Sequence, residues 1–359
     1  MPLISPAGNW QWLWHIDDLC GGDPARIAAW LKAGGYTGVL VKTHDGEWDW
    51  MARNRVADLV AACHAAGVRC GGWYYSVGNW DGPVDGDPGG DVHHCTIAAE
   101  LDLLDAAFKL GVNFAVIDNE KEWCLNGAAA ADDYGRQLRA RFPKGQFGVY
   151  SGAVPSVTGY WVGNPLDQLA GYVDGWLWQV YTAGWGIPEQ VDAWTAKAVG
   201  LAHGLPSYPI YDVRDPNGAP VPASYPAQAV AAAKAHGCVG VSWWQAGVFT
   251  AGIQAAVQAA AAPLLTAEAD QAAAIETAKH EAIQKAYSQI AAAGYRWLVG
   301  LQQREYIADL TGILPTLPTD ARLLVCEKGV LWCGADGRVD AMHRQQFEAI
   351  EADGKARAL

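Results

Sequence analysis

The chain has 359 residues, 51% of them hydrophobic and 18% charged, which excludes global disorder and leaves room for a barrel-sized domain plus a small one. Its 25 Lys+Arg against 38 Asp+Glu give a formal charge of −13, and a surface that acidic repels phosphate backbones and argues against nucleic acid as a partner. Eighteen Trp against six Phe suits carbohydrate, because indole faces stack on sugar rings and the indole N–H bonds their hydroxyls, although a well-packed core uses the same residue.

The opening MPLISPAGNWQW has no basic stretch leading into an apolar run, and no segment reaches the roughly 20 apolar residues of a spanning helix. The sequence therefore predicts no signal peptide and no membrane span, with cytoplasmic synthesis and virion association or release at lysis as the expected fates. The eight Cys lack CxxC or Cys/His ligand spacing, so free thiols are expected rather than a zinc site. Cys326 and Cys333 flank a predicted hairpin and could pair under oxidation.

From residue 9 to 262 short β-type runs alternate with Ala-rich helical stretches. The runs are 10–16, 37–43, 68–75, 112–118, 146–151, 175–181, 208–213 and 238–244. Several of the helical stretches close on a C-terminal glycine, such as Gly67, Gly111 and Gly237. Eight strands, each with a return segment, in about 250 residues is the arithmetic of a (β/α)8 TIM barrel. No glycine-rich phosphate turn follows a strand, which argues against a doubly wound sheet.

After Pro263 the pattern changes. Apolar residues recur at three-to-four spacing over 266–310, from Ile275 through Ala282, Ile283, Tyr287 and Ile290 to Leu301, which predicts a long helix with one apolar stripe. A β-hairpin is predicted within 321–340 and a charged helix at the end. This small helical C-terminal region, 263–359, is expected to dock on the barrel, self-associate into a homo-oligomer, or make assembly contacts in a virion.

Reacting groups of barrel enzymes sit at the C-terminal ends of strands and in the loops beyond. Strand four ends in Asp118-Asn119-Glu120. Side chains alternate along a strand, so Phe114, Val116, Asp118 and Glu120 share one face. If that face is the barrel axis, two acids enter the mouth together and titrate unequally, which suits a general acid beside a carboxylate that stays charged. A bridge to a neighbour such as Lys42 is the structural alternative. Asp17 and Asp212 stand at matching ends of strands one and seven, and grouped carboxylates repel unless a function requires them.

The aromatic residues Tyr74, Tyr75, Trp123, Tyr150, Tyr181, Trp243 and Trp244, with Gln179 and Gln245, are read as rim positions for a polysaccharide substrate. Trp10, Trp12 and Trp14 are assigned instead to the layer between barrel and helices. No metal and no cofactor is expected. Histidines lack zinc spacing, and Asp85, Asp87 and Asp91 fail the EF-hand pattern.

The order H-I-D (15–17), I-D-N-E (117–120), V-Y-S (149–151), L-W-Q-V-Y (177–181) and W-W-Q (243–245) resembles the lysozyme-type barrels of glycoside hydrolase family 25. It also looks like a looser group of phage and bacterial glycoside-hydrolase-like barrels with D-x-E on strand four. The resemblance covers residues 9 to about 250. It implies a site of Asp17, Asp118, Glu120 and Asp212, with Glu120 as the acid and peptidoglycan as the polysaccharide. A catalytically weak barrel serving as a glycan-binding or structural module of a phage tail or cell-surface assembly is the alternative reading.

Overall fold

The computed structural model describes residues 5–83 and 92–261, together with the backbone of five strands nearer the C-terminus. The described residues fall into two compact units divided between Glu268 and Ala269. The first is the barrel. Its staves are β1 (Gly8–Leu13), β2 (Gly38–Asp45), β3 (Arg69–Ser76), β4 (Ala115–Asn119), β5 (Val149–Ala153), β6 (Trp176–Val180), β7 (Ile210–Asp212) and β8 (Gly240–Trp244).

Each stave pairs in parallel with the next, and β8 closes on β1 in the register Gly8↔Gly240. The returns are α1 (Pro24–Ala33), α2 (Val56–Ala66), α3 (Ile97–Lys109), α4 (Lys121–Arg141), α5 (Leu166–Ala170), α6 (Val191–Gly200) and α7 (Tyr225–Ala235), with residues 251–261 helical after β8. The eight-stranded barrel expected from the strand count is the fold observed.

Parallel staves are covered on both faces, so they read as nearly continuous apolar runs and only the phase decides which side chain goes where. Val39, Val41, Cys70, Ala115, Ile117, Val149, Trp178, Tyr211, Val241 and Trp243 face outward into one buried layer with Ile27, Leu59, Leu104 and Leu138 of the helices. The alternate residues fill the interior.

Here the assignment of the β1 tryptophans is corrected. Trp10 packs edge-on against Phe114 at 4.9 Å, and Phe114 against Tyr150 at 5.5 Å, closing the N-terminal end of the barrel with rings. Trp12 lies 5.3 Å from Trp73 and 5.7 Å from Trp244 in the middle. The interior accepts such large rings because small residues stand opposite. A Cβ on Gly38 would lie 2.2 Å from Trp10 Cζ3. The indole N–H groups are satisfied internally, Trp10 on the Ala7 carbonyl at 2.7 Å and Trp12 on Ser242 Oγ at 2.9 Å.

The physical reason is that β1 stops at Leu13 and the chain turns into a 3-10 segment at Ile16–Asp18. Alternation therefore does not carry through to Asp17. After β3 an antiparallel ribbon of Trp80–Pro83 and Val92–Cys95 projects from the barrel. The acidic loop with Asp85, Asp87 and Asp91 lies outside the described residues.

The second unit contains an antiparallel sheet of β9 (Arg304–Ala308), β10 (Ala321–Val325), β11 (Gly329–Cys333), β12 (Val339–His343) and β13 (Ala356–Ala358), in the order β12-β11-β10-β9-β13. The expected hairpin is its β10–β11 pair. Two further expectations are corrected. Residues 304–308 are strand rather than the end of a long helix, since they pair on both sides, with β10 and β13. The last residues of the chain likewise include a strand. The remainder of the helix predicted over 266–310, most of the charged terminal helix, and Cys326, which oxidation could pair with Cys333, lie outside the described residues.

Candidate active site

Asp118 is the fourth residue of β4, and Glu120 follows the strand at the N-terminal cap position of α4. Asp118 is buried and Glu120 half-buried. The structure brings them together through a third residue. Gln179, buried on β6, donates from Nε2 to Asp118 Oδ1 at 2.7 Å and to Glu120 Oε1 at 3.0 Å. One amide nitrogen thus uses both hydrogens on two carboxylates. Burial, followed by the charge of Glu120, pushes the Asp118 carboxyl well above the usual range, while Lys42 and the Gln179 hydrogen bond pull it down. Two acids so coupled retain a proton between them where isolated carboxylates have lost theirs.

Lys42 occupies the mouth from β2. It is 3% exposed, and its ammonium forms an ion pair with Asp45 at 2.7 Å. Three indoles surround it, with Trp14, Trp73 and Trp50 centroids at 4.6, 4.8 and 5.1 Å. Cation–π attraction and the field of Asp45, Asp118 and Glu120 oppose the desolvation that pushes its pKa down. The signal in the sequence is a lysine directly after the apolar run Val39–Val41 of a strand. It supports Lys42 as a partner for acids, but not the indole cage, whose members come from three separate segments.

Tyr75 donates its hydroxyl to Glu122 Oε2 at 2.6 Å, which orients the ring at the edge of the acid pair. Below this edge, Glu100 of α3 is fully buried and accepts from Ser76 Oγ at 2.8 Å and from the Val77 and Gly78 N–H groups at 2.7 Å. Burial outweighs these three donors and pushes its carboxyl up to about 7. Trp123, expected at the rim, is buried beneath it and donates to the Ser76 carbonyl.

Asp212 ends β7. Its Oδ2 accepts the Gly184 N–H, its Oδ1 is buried with no hydrogen-bond partner, and burial pushes the carboxyl up to about 7. Tyr181 stacks on Trp244 at 6.4 Å. Its hydroxyl pKa is pushed up by burial and by Asp118, Glu120 and Asp212 together. It lines a cleft together with Asp212 and Trp244. Gln245 follows β8 with its Oε1 buried and unpartnered.

Asp17, Tyr74, Tyr150 and Trp243 lie elsewhere. Asp17 is exposed on the turn after β1, its carboxylate against Gly22. Tyr74 points outward, stacked on His44 at 4.1 Å with its hydroxyl 2.6 Å from that of Tyr134. Tyr150 belongs to the aromatic floor beside Phe114. Trp243 faces the helices and donates to Asn9 Oδ1 at 2.7 Å. Of the adjacent rim candidates Tyr74/Tyr75 and Trp243/Trp244, alternation turns Tyr75 and Trp244 inward and Tyr74 and Trp243 outward, and it brings in Trp73, which is not among them. Among the described residues no group of three or more His, Cys, Asp or Glu is placed to hold a metal ion, and no helix is long and apolar enough to cross a membrane.

No family model matches the chain, and no curated protein matches it. Solved structures do. A chitinase from Chromobacterium violaceum is similar with a TM-score of 0.54 at 12% identity, over 71% of this chain and 99% of that one. The spore cortex-lytic enzyme SleL of Bacillus cereus gives 0.52 at 11%, over 71% and 74%. An endo-β-1,4-mannanase from Thermotoga petrophila gives 0.51 at 12%, over 73% and 77%. None of the three is described as a family 25 lysozyme, and at 11–12% identity the likeness carries the (β/α)8 barrel fold and no finer assignment.

Proposed function

We propose that the barrel is a glycoside hydrolase that cleaves a polysaccharide laid across its mouth, with peptidoglycan-type glycan as the substrate. The observation that carries this reading is the Gln179 bridge between Asp118 and Glu120. It fixes two carboxyl groups at the C-terminal end of a barrel, with indole and phenol rings beside them.

Glu120, the less buried acid, hands the shared proton to the departing glycosidic oxygen. As the C–O bond breaks, Asp118 faces the cationic sugar as an anion, helped by the Gln179 donor and the Lys42 charge, and water then adds to the anomeric carbon and returns a proton to Glu120. The similar barrels support a glycan substrate, being named for lysing spore cortex and for cleaving chitin and mannan. The motif order of the sequence and the cortex-lytic neighbour favour peptidoglycan among these.

The test is turbidity loss of a purified cell-wall suspension and release of reducing ends, compared between the unaltered chain and Glu120→Gln. Loss of a general acid lowers the rate by about 10²- to 10⁴-fold. An unaltered chain that binds cell walls but releases no reducing ends from them, or from chitin or mannan, overturns the hydrolase reading in favour of a glycan-binding module.

A further inference from the structure

The loops after β6 and β7 enclose a cleft of about 380 Å³ that is lined by Tyr181, Trp185, Asp212, Arg214 and Trp244 among others. That is the lower end of the size range of small-ligand sites. The cleft's Trp244 packs on Trp73 and Trp14, two of the indoles around Lys42, so the cleft opens toward the mouth where cleavage is proposed. Three of its features go unused by the chemistry above.

Trp185 is 38% exposed, unusual for an indole, and stands at the cleft wall with Trp244. Asp212 is 5% exposed, yet its Oδ1 has no donor. Arg214 is half-buried, and its guanidinium makes no hydrogen bond or ion pair with a described residue. The nearby Asp215 does not serve it. Its Oδ1 accepts the N–H groups of Asn217 and Ala219 at 2.9 and 2.8 Å, closing its own turn.

A planar fork of N–H donors left open in a partly desolvated wall matches a planar carboxylate, which it can bind through two parallel hydrogen bonds. A neutral sugar would leave that fork unused. A doubly charged phosphate carries more charge than the single guanidinium offsets. We propose that this cleft is a subsite for a pyranose bearing a carboxylate. Its ring stacks on the indole wall, its carboxylate sits on Arg214, and a hydroxyl or amide N–H donates to Asp212 Oδ1. The inference rests on the glycan-cleaving reading and narrows the substrate to an acidic glycan. The raised pKa of Asp212 adds support, since a carboxyl that is largely protonated below neutral pH does not repel the anion.

The carboxylate could come from a uronic acid or from a lactyl ether on an amino sugar. The experiment uses the full-length chain carrying Glu120→Gln, so that no probe is turned over. Methyl glycosides of glucuronic acid, N-acetylmuramic acid, glucose and N-acetylglucosamine are titrated at pH 6 and followed by saturation-transfer NMR. At least one acidic sugar binds about tenfold more tightly than its neutral counterpart, the size expected of a charge-assisted hydrogen bond. Which acid wins identifies the source, and Arg214→Gln abolishes the preference while neutral-sugar binding stays.

Equal binding of acidic and neutral probes, no binding of either, or a preference that survives Arg214→Gln overturns the subsite. These readouts do not depend on turnover. A chain that discriminates the acids but cleaves no glycan loses the hydrolase reading and keeps the subsite, and a chain that cleaves glycans without discriminating does the reverse.

Discussion

The side-chain nitrogen of Gln179 stands 2.7 Å from Asp118 Oδ1 and holds a carboxylate that the fold has buried. Its second hydrogen reaches Glu120, so one residue sets both the distance between the acids and the ease with which they lose a proton.

Gln179→Leu keeps the approximate volume and removes both donors. The hydrogen bond lowers the Asp118 pKa, so its loss moves the acid-side limb of the pH–rate profile to higher pH. The same change lowers kcat/KM by about 10- to 100-fold, as expected for a lost hydrogen bond to a charged group. A profile identical to that of the unaltered chain would show that the bridge plays no part in setting the acids.

Lys42→Met leaves Asp45 buried without its cation. Breaking a buried pair on one side costs about 3 kcal/mol or more, read as a lower urea midpoint. Asp45 already has its pKa raised by burial, with Lys42 as the largest opposing influence. Without Lys42 the carboxyl takes up a proton more readily, so the loss is smaller at pH 5 than at pH 8. Lys42→Met combined with Asp45→Asn removes both charges and recovers most of the stability. If the double variant is no more stable than the single one, the indole packing rather than the ion pair is what Lys42 supplies.

Glu100 sets a pH dependence of stability. Its carboxyl is pushed up to about 7 by burial, against 4.5 for the exposed group. The folded chain then binds the proton more tightly than the unfolded chain. Stability is therefore highest below pH 4.5 as far as this group is concerned. It falls as pH rises to 7, by something on the order of 3 kcal/mol. Ser76, Tyr74 and Tyr134 face the carboxyl, and burial keeps both phenols protonated. Glu100→Gln retains an oxygen for the Val77 and Gly78 N–H groups and flattens the slope between pH 5 and 8 in chemical denaturation. An unchanged slope would assign the dependence to other carboxyls, Asp212 first among them.

The barrel is legible in the sequence because its staves carry a redundant signal. Each is an apolar run followed by a return segment, and Gly67, Gly111 and Gly237 all adopt the positive φ of a helix end, at 73°, 93° and 75°. Asp118 on β4 and Glu120 just beyond it are legible for a related reason, since polar residues at the end of an apolar stave have few places to go. The phase of β1 is not. A short 3-10 turn shifts the alternation without leaving a mark in composition, so Trp10, Trp12 and Trp14 read as outward when they fill the interior. The same one-residue ambiguity leaves Tyr74 and Trp243 among the rim candidates beside Tyr75 and Trp244, and hides Trp73, which meets Trp244 inside the barrel at 5.6 Å.

Gln179 can be read from the sequence as a rim residue but not as a bridge, because the amide on β6 lies 61 and 59 positions along the chain from the two acids. Nor can the strand at 304–308 be separated from the helical periodicity that precedes it, because its partners lie at 321–325 and 356–358. Pairings of that kind are decided by distant segments rather than by the local pattern.

The ring of Trp10, Phe114 and Tyr150 that seals the far end of the barrel has a consequence for traffic. A tube stoppered with aromatic side chains has a single doorway, and nothing can be threaded through it. Whatever arrives at Asp118 and Glu120 must leave by the way it came, so a long chain can only be draped over the opening and let go sideways.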